Sequence, residues 1–211
     1  MLLATLLLGV AVASTARAQS ASSEVWPELD VFWTPAEHQR TMLELGSSSE
    51  REGPKREASV GLYQDYLDLP RFYVRGGYRF TFSVSDASYR ESRGVAEGAV
   101  RIVNGATWRL VERTRLELRW VNGDYSYRVR ERLHLQRFPP TPWTWDTRPY
   151  GTVEAYYDSR YNTIARLGAR IGAEFRLWKR SDIDVYVARQ ENSRGEPTRV
   201  NALGLTLKLY Q

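Results

Sequence analysis

WRLVERTRLELRW, residues 108–120, is the stretch that decides the fold of this chain. Its even-numbered positions are mostly apolar, and its odd-numbered positions are mostly charged. Successive side chains of a β-strand point to opposite faces, so this alternation predicts a strand with one apolar and one charged face. The apolar series is Trp108, Leu110, Thr114, Leu116, Leu118 and Trp120, and the charged series is Arg109, Arg113, Arg115, Glu117 and Arg119.

This predicted strand is long, and a tryptophan stands at each end of its apolar face. Strands in globular proteins are usually about 5–6 residues long, and this one runs from Trp108 to Trp120. At about 3.3 Å per residue the two tryptophans lie roughly 40 Å apart along the strand, or about 30 Å in height at a tilt of about 40°. That height matches the hydrocarbon core of a bilayer. The segment therefore predicts a transmembrane β-barrel with Trp108 and Trp120 as membrane-interface aromatics.

Residues 1–18 have the pattern of a signal peptide. The apolar run over residues 2–12 is too short to span a membrane as a helix, and Ala16-Arg17-Ala18 forms a small-x-small cleavage site. We therefore expect export, with a single β-barrel domain over residues 19–211. The chain has no cysteine, so no disulfide framework is expected to stabilise the exported protein.

Charge and hydropathy exclude less here than they do in most chains. The formal net charge is +5 and the mean hydropathy is −0.50. Negative hydropathy usually indicates a soluble protein, but every second residue of a transmembrane barrel faces a polar interior. A basic chain suggests nucleic acid as a partner. Here the arginines alternate with apolar residues and are mixed with glutamates, which argues against a nucleic-acid-binding patch.

Eleven segments in all have the pattern of strands, separated by short polar breaks. Asn122-Gly123 is a strong hairpin signal between two of them. Bacterial single-chain barrels have even strand numbers, so we predict an up-and-down antiparallel barrel of 10 or 12 strands. The eleven segments are residues 25–34, 40–47, 58–66, 72–82, 95–103, 108–120, 127–136, 150–158, 163–178, 182–189 and 203–209.

The chain resembles a bacterial family catalogued as domain of unknown function 2490. The matching motifs, in order, are WPELDVFW at residues 26–33, GYRF at 77–80, R-x-R-x-E-x-R at 113–119, R-x-R-x-R at 128–132, EAYYD at 154–158 and R-x-G at 166–168. The resemblance covers most of residues 19–211. It implies an outer-membrane-like barrel and supplies no established activity, so it bears on the fold and leaves function open.

The charged face of the predicted strands would point into the barrel lumen. Burying charge without a partner costs several kcal/mol per group, so this interior must be paired with opposite charge, hydrated, or both. The residues that we expect to line the lumen are Arg75, Arg79, Arg113, Arg115, Glu117, Arg119, Arg128, Arg130, Arg132, His134, Glu154, Arg166, Arg170, Glu174 and Arg176.

Two interpretations of this lumen stay open at the level of sequence. In one, arginines and glutamates fill and stiffen a closed barrel. In the other, a narrow aqueous pore has an excess of arginine that favours anions. In the pore, Arg113, Arg115, Arg128 and Arg130 would crowd one hairpin, and Glu117 would pair with only part of them. Eight strands are filled by side chains and sixteen leave a channel, so strand number alone does not decide.

The sequence contains no nucleophile elbow, P-loop, dinucleotide fingerprint or zinc-ligand spacing. His134 shares the inward face with arginines and is better explained as a hydrogen-bond partner than as a general base. His38 lies near Pro35 in a predicted turn, where a solvated histidine is ordinary. Asp182 and Asp184 share a face, as a general acid and base do, but carboxylates beside arginines more often form ion pairs. We assign no catalytic residue, cofactor or metal ligand, and we expect no enzyme.

The predicted function is therefore an outer-membrane β-barrel of a Gram-negative bacterium, either structural or a narrow anion-favouring solute channel. The expected partners are membrane lipid, the barrel-insertion machinery and small anionic solutes. The main alternative is a soluble periplasmic lipocalin-like binder, and an outer-membrane lipid hydrolase ranks below both. Trp143 and Trp145 lie in a proline-containing loop, which is either a contact surface for a partner or an anchor at the membrane interface.

Overall fold

The computed structural model describes residues 20–51, 55–69, 71–85, 88–138 and 146–211, and these form one closed β-barrel. In the described part of the chain no helix is long and apolar enough to cross a membrane. The predicted signal peptide and the Trp143–Trp145 loop lie outside the described residues. The strands are β1 (Ala21–Ala36), β2 (Gln39–Glu50), β3 (Arg56–Leu69), β4 (Phe72–Ser83), β5 (Arg90–Asn104), β6 (Trp108–Val121), β7 (Asp124–Arg137), β8 (Thr147–Asp158), β9 (Thr163–Trp178), β10 (Ser181–Asn192) and β11 (Arg199–Tyr210).

The barrel has eleven strands, so the prediction of 10 or 12 is wrong. Every strand pairs antiparallel with the next along the chain, and β11 closes the barrel by pairing parallel with β1. Each of the eleven segments seen in the sequence is a strand. The error came from imposing an even number on them. In an up-and-down barrel, an odd number makes the first and last strands run in the same direction, so their closing pair is parallel instead of antiparallel.

The hairpin between β6 and β7 forms at the predicted Asn122-Gly123 turn. Both residues have positive φ, 51° at Asn122 and 98° at Gly123, which is the backbone conformation that a two-residue turn between twisted strands requires. The register that follows places Trp120 opposite Tyr125 and Leu116 opposite Val129. The side chain of Asn122 also accepts a hydrogen bond from the backbone N–H of Arg90 at 2.9 Å, which fixes the turn against β5.

The outer surface of the barrel is apolar. Trp108 and Trp120 are exposed at the two ends of β6, and Leu116 and Leu118 lie exposed between them. Leu203 and Leu205 on β11 follow the same pattern. The apolar parity of each strand therefore points away from the barrel axis, and a soluble barrel has the reverse arrangement.

A group of polar side chains on β6 and β7 interrupts this outer surface. The Thr114 hydroxyl donates to Glu112 Oε1 at 3.1 Å or to Glu131 Oε2 at 2.9 Å, and all three side chains are on the outside. Glu131 breaks the apolar series of β7 in the sequence, and on the outer face its carboxylate accepts a hydrogen bond from Thr114.

Two tyrosines pack against glycines on the inner wall. The ring of Tyr186 lies over Gly204 on β11, where an added Cβ would come within 2.0 Å of the ring. The Cβ of Tyr186 lies against Gly172 on β9, where an added Cβ would come within 2.6 Å of it. Tyr63 covers Gly61 and Gly77 in the same way. These close approaches leave room for a large side chain to lie flat along the wall, so the glycines are required there by packing.

Gly204→Ala should destabilise the barrel by about 1–3 kcal/mol or more, because the new methyl group overlaps the Tyr186 ring. Gly98→Ala is the matched control, since Gly98 is also in a strand but has nothing within 4 Å of its added Cβ. Its effect should stay within about 0.5 kcal/mol. Reversible urea unfolding of the lipid-reconstituted protein measures both. Equal stability of the two variants would contradict the packing described here.

Candidate functional site

The barrel encloses a cavity of about 740 Å³. All eleven strands contribute residues to its wall. Glu24 and Lys55 line it near one end of the barrel, and Arg109 and Tyr210 line it near the other. The cavity therefore extends along the lumen and not only into one mouth of the barrel, and it is the candidate functional site of this protein.

The structure places all fifteen predicted lumen residues on the inner face of their strands, but not all of them reach the cavity. Arg119 and Glu154 are buried in ion pairs and do not line the cavity. Arg176 lies near one end of the barrel, where it pairs with Asp182 at 2.5 Å. The twelve that line the cavity are Arg75, Arg79, Arg113, Arg115, Glu117, Arg128, Arg130, Arg132, His134, Arg166, Arg170 and Glu174.

Asp158 is the centre of the most buried ion-pair group. It is the last residue of β8, its exposed fraction is 0%, and its carboxylate accepts from three arginines. Arg119 lies at 3.0 Å, Arg128 at 3.2 Å and Arg160 at 2.8 Å. Arg160 stands in the turn beyond β8, and its hydrogen bond with Asp158 raises the pKa of its guanidinium above the usual value. One carboxylate thus compensates cations from β6, β7 and a turn.

Glutamates from neighbouring strands bind three further arginines of the β6–β7 hairpin. Glu97 on β5 binds Arg115 through two nitrogens, each at 2.7 Å. Glu154 on β8 binds Arg130 and lies 3.0 Å from Arg132. The register of β6 and β7 therefore does place these arginines opposite one another, as predicted. Carboxylates from the flanking strands compensate most of their positive charge.

Sequence reasoning missed several of these carboxylates. Glu91 pairs with Arg119 and lies 2.9 Å from Arg93, and Asp65, with 0% exposure, binds Arg40 at 2.7 Å and Arg75 at 2.6 Å. Glu91 and Glu97 share the parity of Arg93, and Asp65 shares that of Tyr63, so strand parity alone could have placed them inside. Their partners could not be found without the register between strands.

Four arginines of the wall have no carboxylate within 4.0 Å among the described residues: Arg109, Arg113, Arg166 and Arg170. Arg166 donates to the side chain of Asn192 at 2.7 Å. Arg113 and Arg170 lie over the rings of Tyr73 and Tyr186, with the guanidinium carbon 5.8 Å and 4.2 Å from the ring centroids. Their charge is thus available to the cavity.

Charge is distributed unevenly around the wall. We count the charged strand residues that line the cavity or are buried, within the described part of the chain. The sector β10, β11, β1 and β2 has six carboxylates (Glu24, Glu28, Asp30, Glu44, Asp182 and Asp184) and two cations (Arg40 and Lys208). The sector β6–β9 has ten arginines (Arg109, Arg113, Arg115, Arg119, Arg128, Arg130, Arg132, Arg148, Arg166 and Arg170) and four carboxylates (Glu117, Glu154, Asp158 and Glu174).

The two sectors adjoin at β9 and β10, and β3–β5 separate them on the opposite side of the barrel. The charges of β3–β5 are balanced, with four carboxylates and four arginines. They are Glu57, Asp65, Glu91 and Glu97 and Arg75, Arg79, Arg93 and Arg101. One side of the lumen is therefore acidic and another strongly basic.

The acidic sector contains the one group of described residues whose spacing suits a metal ion. Carboxylate oxygens of Glu28, Asp30 and Glu44 lie within 4.8 Å of one another. Arg79 Nη1 is 2.8 Å from Glu44 Oε1, so an arginine already occupies part of this group. A cation there would have to compete with Arg79.

The other singled-out residues are in ordinary surroundings. His134 Nδ1 lies 3.0 Å from the Thr152 hydroxyl, and His38 lies in the turn between β1 and β2. Asp182 accepts from Arg148 at 2.7 Å, and Asp184 accepts from the hydroxyl of Tyr150 at 2.9 Å.

Comparisons with known proteins bear on the fold. No family model matches this chain, and no curated protein matches it. A solved structure described as a bacterial polysaccharide outer membrane secretin is similar, with a TM-score of 0.55 and 12% identity over 80% of this chain and 62% of that one. The β-domain of the Bordetella autotransporter BrkA has a TM-score of 0.48 and 14% identity, over 84% of this chain and 83% of that one.

The chain therefore spans less than two thirds of the length of the secretin, and at this identity the likeness shows a shared barrel fold and no shared activity. The resemblance to domain of unknown function 2490 stays a prediction, since no family model bears on it.

Asp158→Asn should destabilise the barrel by about 3–5 kcal/mol, because it leaves buried arginine charge without a counter-charge. Asp124→Asn makes the same chemical change at an exposed position and should shift stability by no more than about 0.5 kcal/mol. Denaturant unfolding in lipid vesicles measures the two. A loss at Asp158 no larger than at Asp124 would show that the ion-pair group does not stabilise the wall.

Proposed function

We propose that this chain is an integral β-barrel protein of the bacterial outer membrane whose lumen passes small solutes and favours anions. The apolar outer surface supports the membrane location, because a barrel in water would expose Leu116, Leu203 and Leu205 to solvent. The fold shared with a bacterial outer membrane secretin supports it too. The cavity that extends along the lumen is the observation that supports a channel, since a barrel whose interior was filled by side chains would have no such cavity.

The preference for anions follows from the arginines without carboxylate partners. Arg113, Arg166 and Arg170 line the cavity and keep their charge there. A channel wall with such cations lowers the energy of a passing anion and raises that of a cation. Among solutes that carry charge of one sign, small organic acids and acidic sugars fit this chemistry better than cations do.

A closed, structural barrel is the second candidate, and the ion-pair groups around Asp158 and Glu154 favour it. Such groups stiffen the wall and fill part of the lumen. A soluble lipocalin-like binder is less compatible with the geometry, because its ligand cavity is lined by apolar side chains, and this cavity is lined by charged ones.

Leu116→Arg tests the membrane location. If Leu116 faces lipid at mid-height, the arginine should lower stability in phospholipid vesicles by about 2–4 kcal/mol. Leu209→Arg, next to the end of β11, is the matched control and should cost about 0–1 kcal/mol, because charged residues are tolerated near the interfaces. Recovery of the wild type in the soluble periplasmic fraction, or equal effects of the two changes, would contradict an integral membrane barrel.

Arg113→Gln combined with Arg170→Gln tests the channel. Each arginine attracts an anion 4 Å away by about 1 kcal/mol in water, which is roughly fivefold in local concentration. We expect the chloride-to-potassium permeability ratio in planar bilayers to fall several-fold. Arg189→Gln, on the outer surface, should leave it unchanged. These positions are better suited to the test than Arg115 and Arg130, whose charge Glu97 and Glu154 need. A wild type without conductance would favour the closed structural barrel.

A further inference from the structure

The acidic and basic sectors of the lumen wall face one another. In the closed ring of strands, β6 and β7 are the farthest from β1. Glu28 and Asp30 on β1 therefore lie across the lumen from Arg113 on β6 and Arg132 on β7, and all four line the same cavity. Each lies well inside its strand and away from the barrel ends.

The carboxylates of Glu28 and Asp30, on the acidic wall, form no close ion pair with the cations of adjacent strands. Lys208 lies opposite Asp30 in the register of β1 and β11, but its ammonium group binds Glu174 and lies 3.8 Å from Asp184. Among the described residues neither Glu28 nor Asp30 has an ion pair within 4.0 Å, and Asp30 Oδ1 is buried without a hydrogen-bond partner. Neither of these two carboxylates thus forms a close ion pair among the described residues.

The basic side is similarly incomplete. Arg113 and Arg170 have no carboxylate partner in the described part of the chain, and the Nε atom of each is buried without a hydrogen bond. Arg113 and Arg170 line the same cavity as Glu28 and Asp30, so one solute in the cavity is exposed to both walls.

We propose that the lumen selects small dipolar solutes, such as α-amino acids, which carry a carboxylate and an ammonium group. The carboxylate is attracted to Arg113 and Arg170, and the ammonium group to Glu28 and Asp30. A simple anion gains the first interaction but is repelled by the acidic wall, and a simple cation has the converse problem. Specificity of this kind comes from the repulsion as much as from the attraction. The inference rests on the proposed channel function and names its solute class.

The wild-type protein in liposomes gives the first test, with four solutes of nearly equal size. Alanine is dipolar, lactate is anionic, alaninamide is cationic and lactamide is uncharged. A lumen that responds only to net charge passes alanine and lactamide equally. We expect alanine to enter faster than lactamide at low concentration and to saturate. Equal rates for alanine and lactamide would overturn the inference.

Glu28→Gln gives the second test, because this half-buried side chain is nearly isosteric with its replacement. We expect the ratio of alanine to lactate flux to fall about fivefold, the effect of one charge at 4 Å in water. Asp30→Asn should act in the same direction, and Glu191→Gln, outside the lumen, should leave the ratio unchanged. If lactate passes but the alanine-to-lactate flux ratio is unaltered in both lumen variants, the inference about dipolar solutes is overturned and the proposed channel is not. No flux of any solute above protein-free liposomes would overturn the channel itself.

Discussion

The need to compensate buried charge is the constraint on which the rest of this structure depends. Because the outer surface is apolar, the polar side chains of each strand point into the lumen. An eleven-stranded lumen is too narrow to hydrate every arginine fully. Bringing a guanidinium out of water is costly unless a counter-charge stands beside it with good hydrogen-bond geometry. Asp158, with three arginines around it, shows the result. The wall is a set of shared ion pairs in which one carboxylate serves cations from several strands.

Packing limits how much of the lumen these charges must fill. The ring of Tyr186 lies over Gly204, and its Cβ lies against Gly172, while the ring of Tyr63 lies over Gly61 and Gly77. Each tyrosine thus uses the space of missing side chains along the wall. The tyrosine side chains thereby cover the inner wall without filling the centre of the lumen. This is a physical reason why a cavity persists in a barrel whose strand number lies between those of filled barrels and open porins.

The parts of this structure that were predictable from sequence are those that depend on a single strand. The alternation from Trp108 to Trp120 was enough to assign both faces of β6, and Asn122-Gly123 was enough to place its hairpin. The strand number was wrong because an expectation about even barrels replaced the eleven visible segments. The partners of Arg115 and Arg119 could not be predicted without the register of β5 and β6, which places Glu97 opposite Arg115 and Glu91 two residues from Arg93, the residue opposite Arg119. That register also shifts between Arg101 and Val103.

A network whose only role was to stiffen the wall would be expected to intermix its charges, because each cation is stabilised most by the nearest carboxylate. The β3–β5 wall is arranged in this way, with equal numbers of both signs. The remaining wall is not: carboxylates predominate on β10, β11, β1 and β2, and arginines predominate on β6–β9. Separating opposite charges around one cavity costs electrostatic energy within the folded protein. A dipolar solute or ordered water that contacts both walls would offset part of this cost, so the uneven distribution of charge is the arrangement that the proposed selection of dipolar solutes requires.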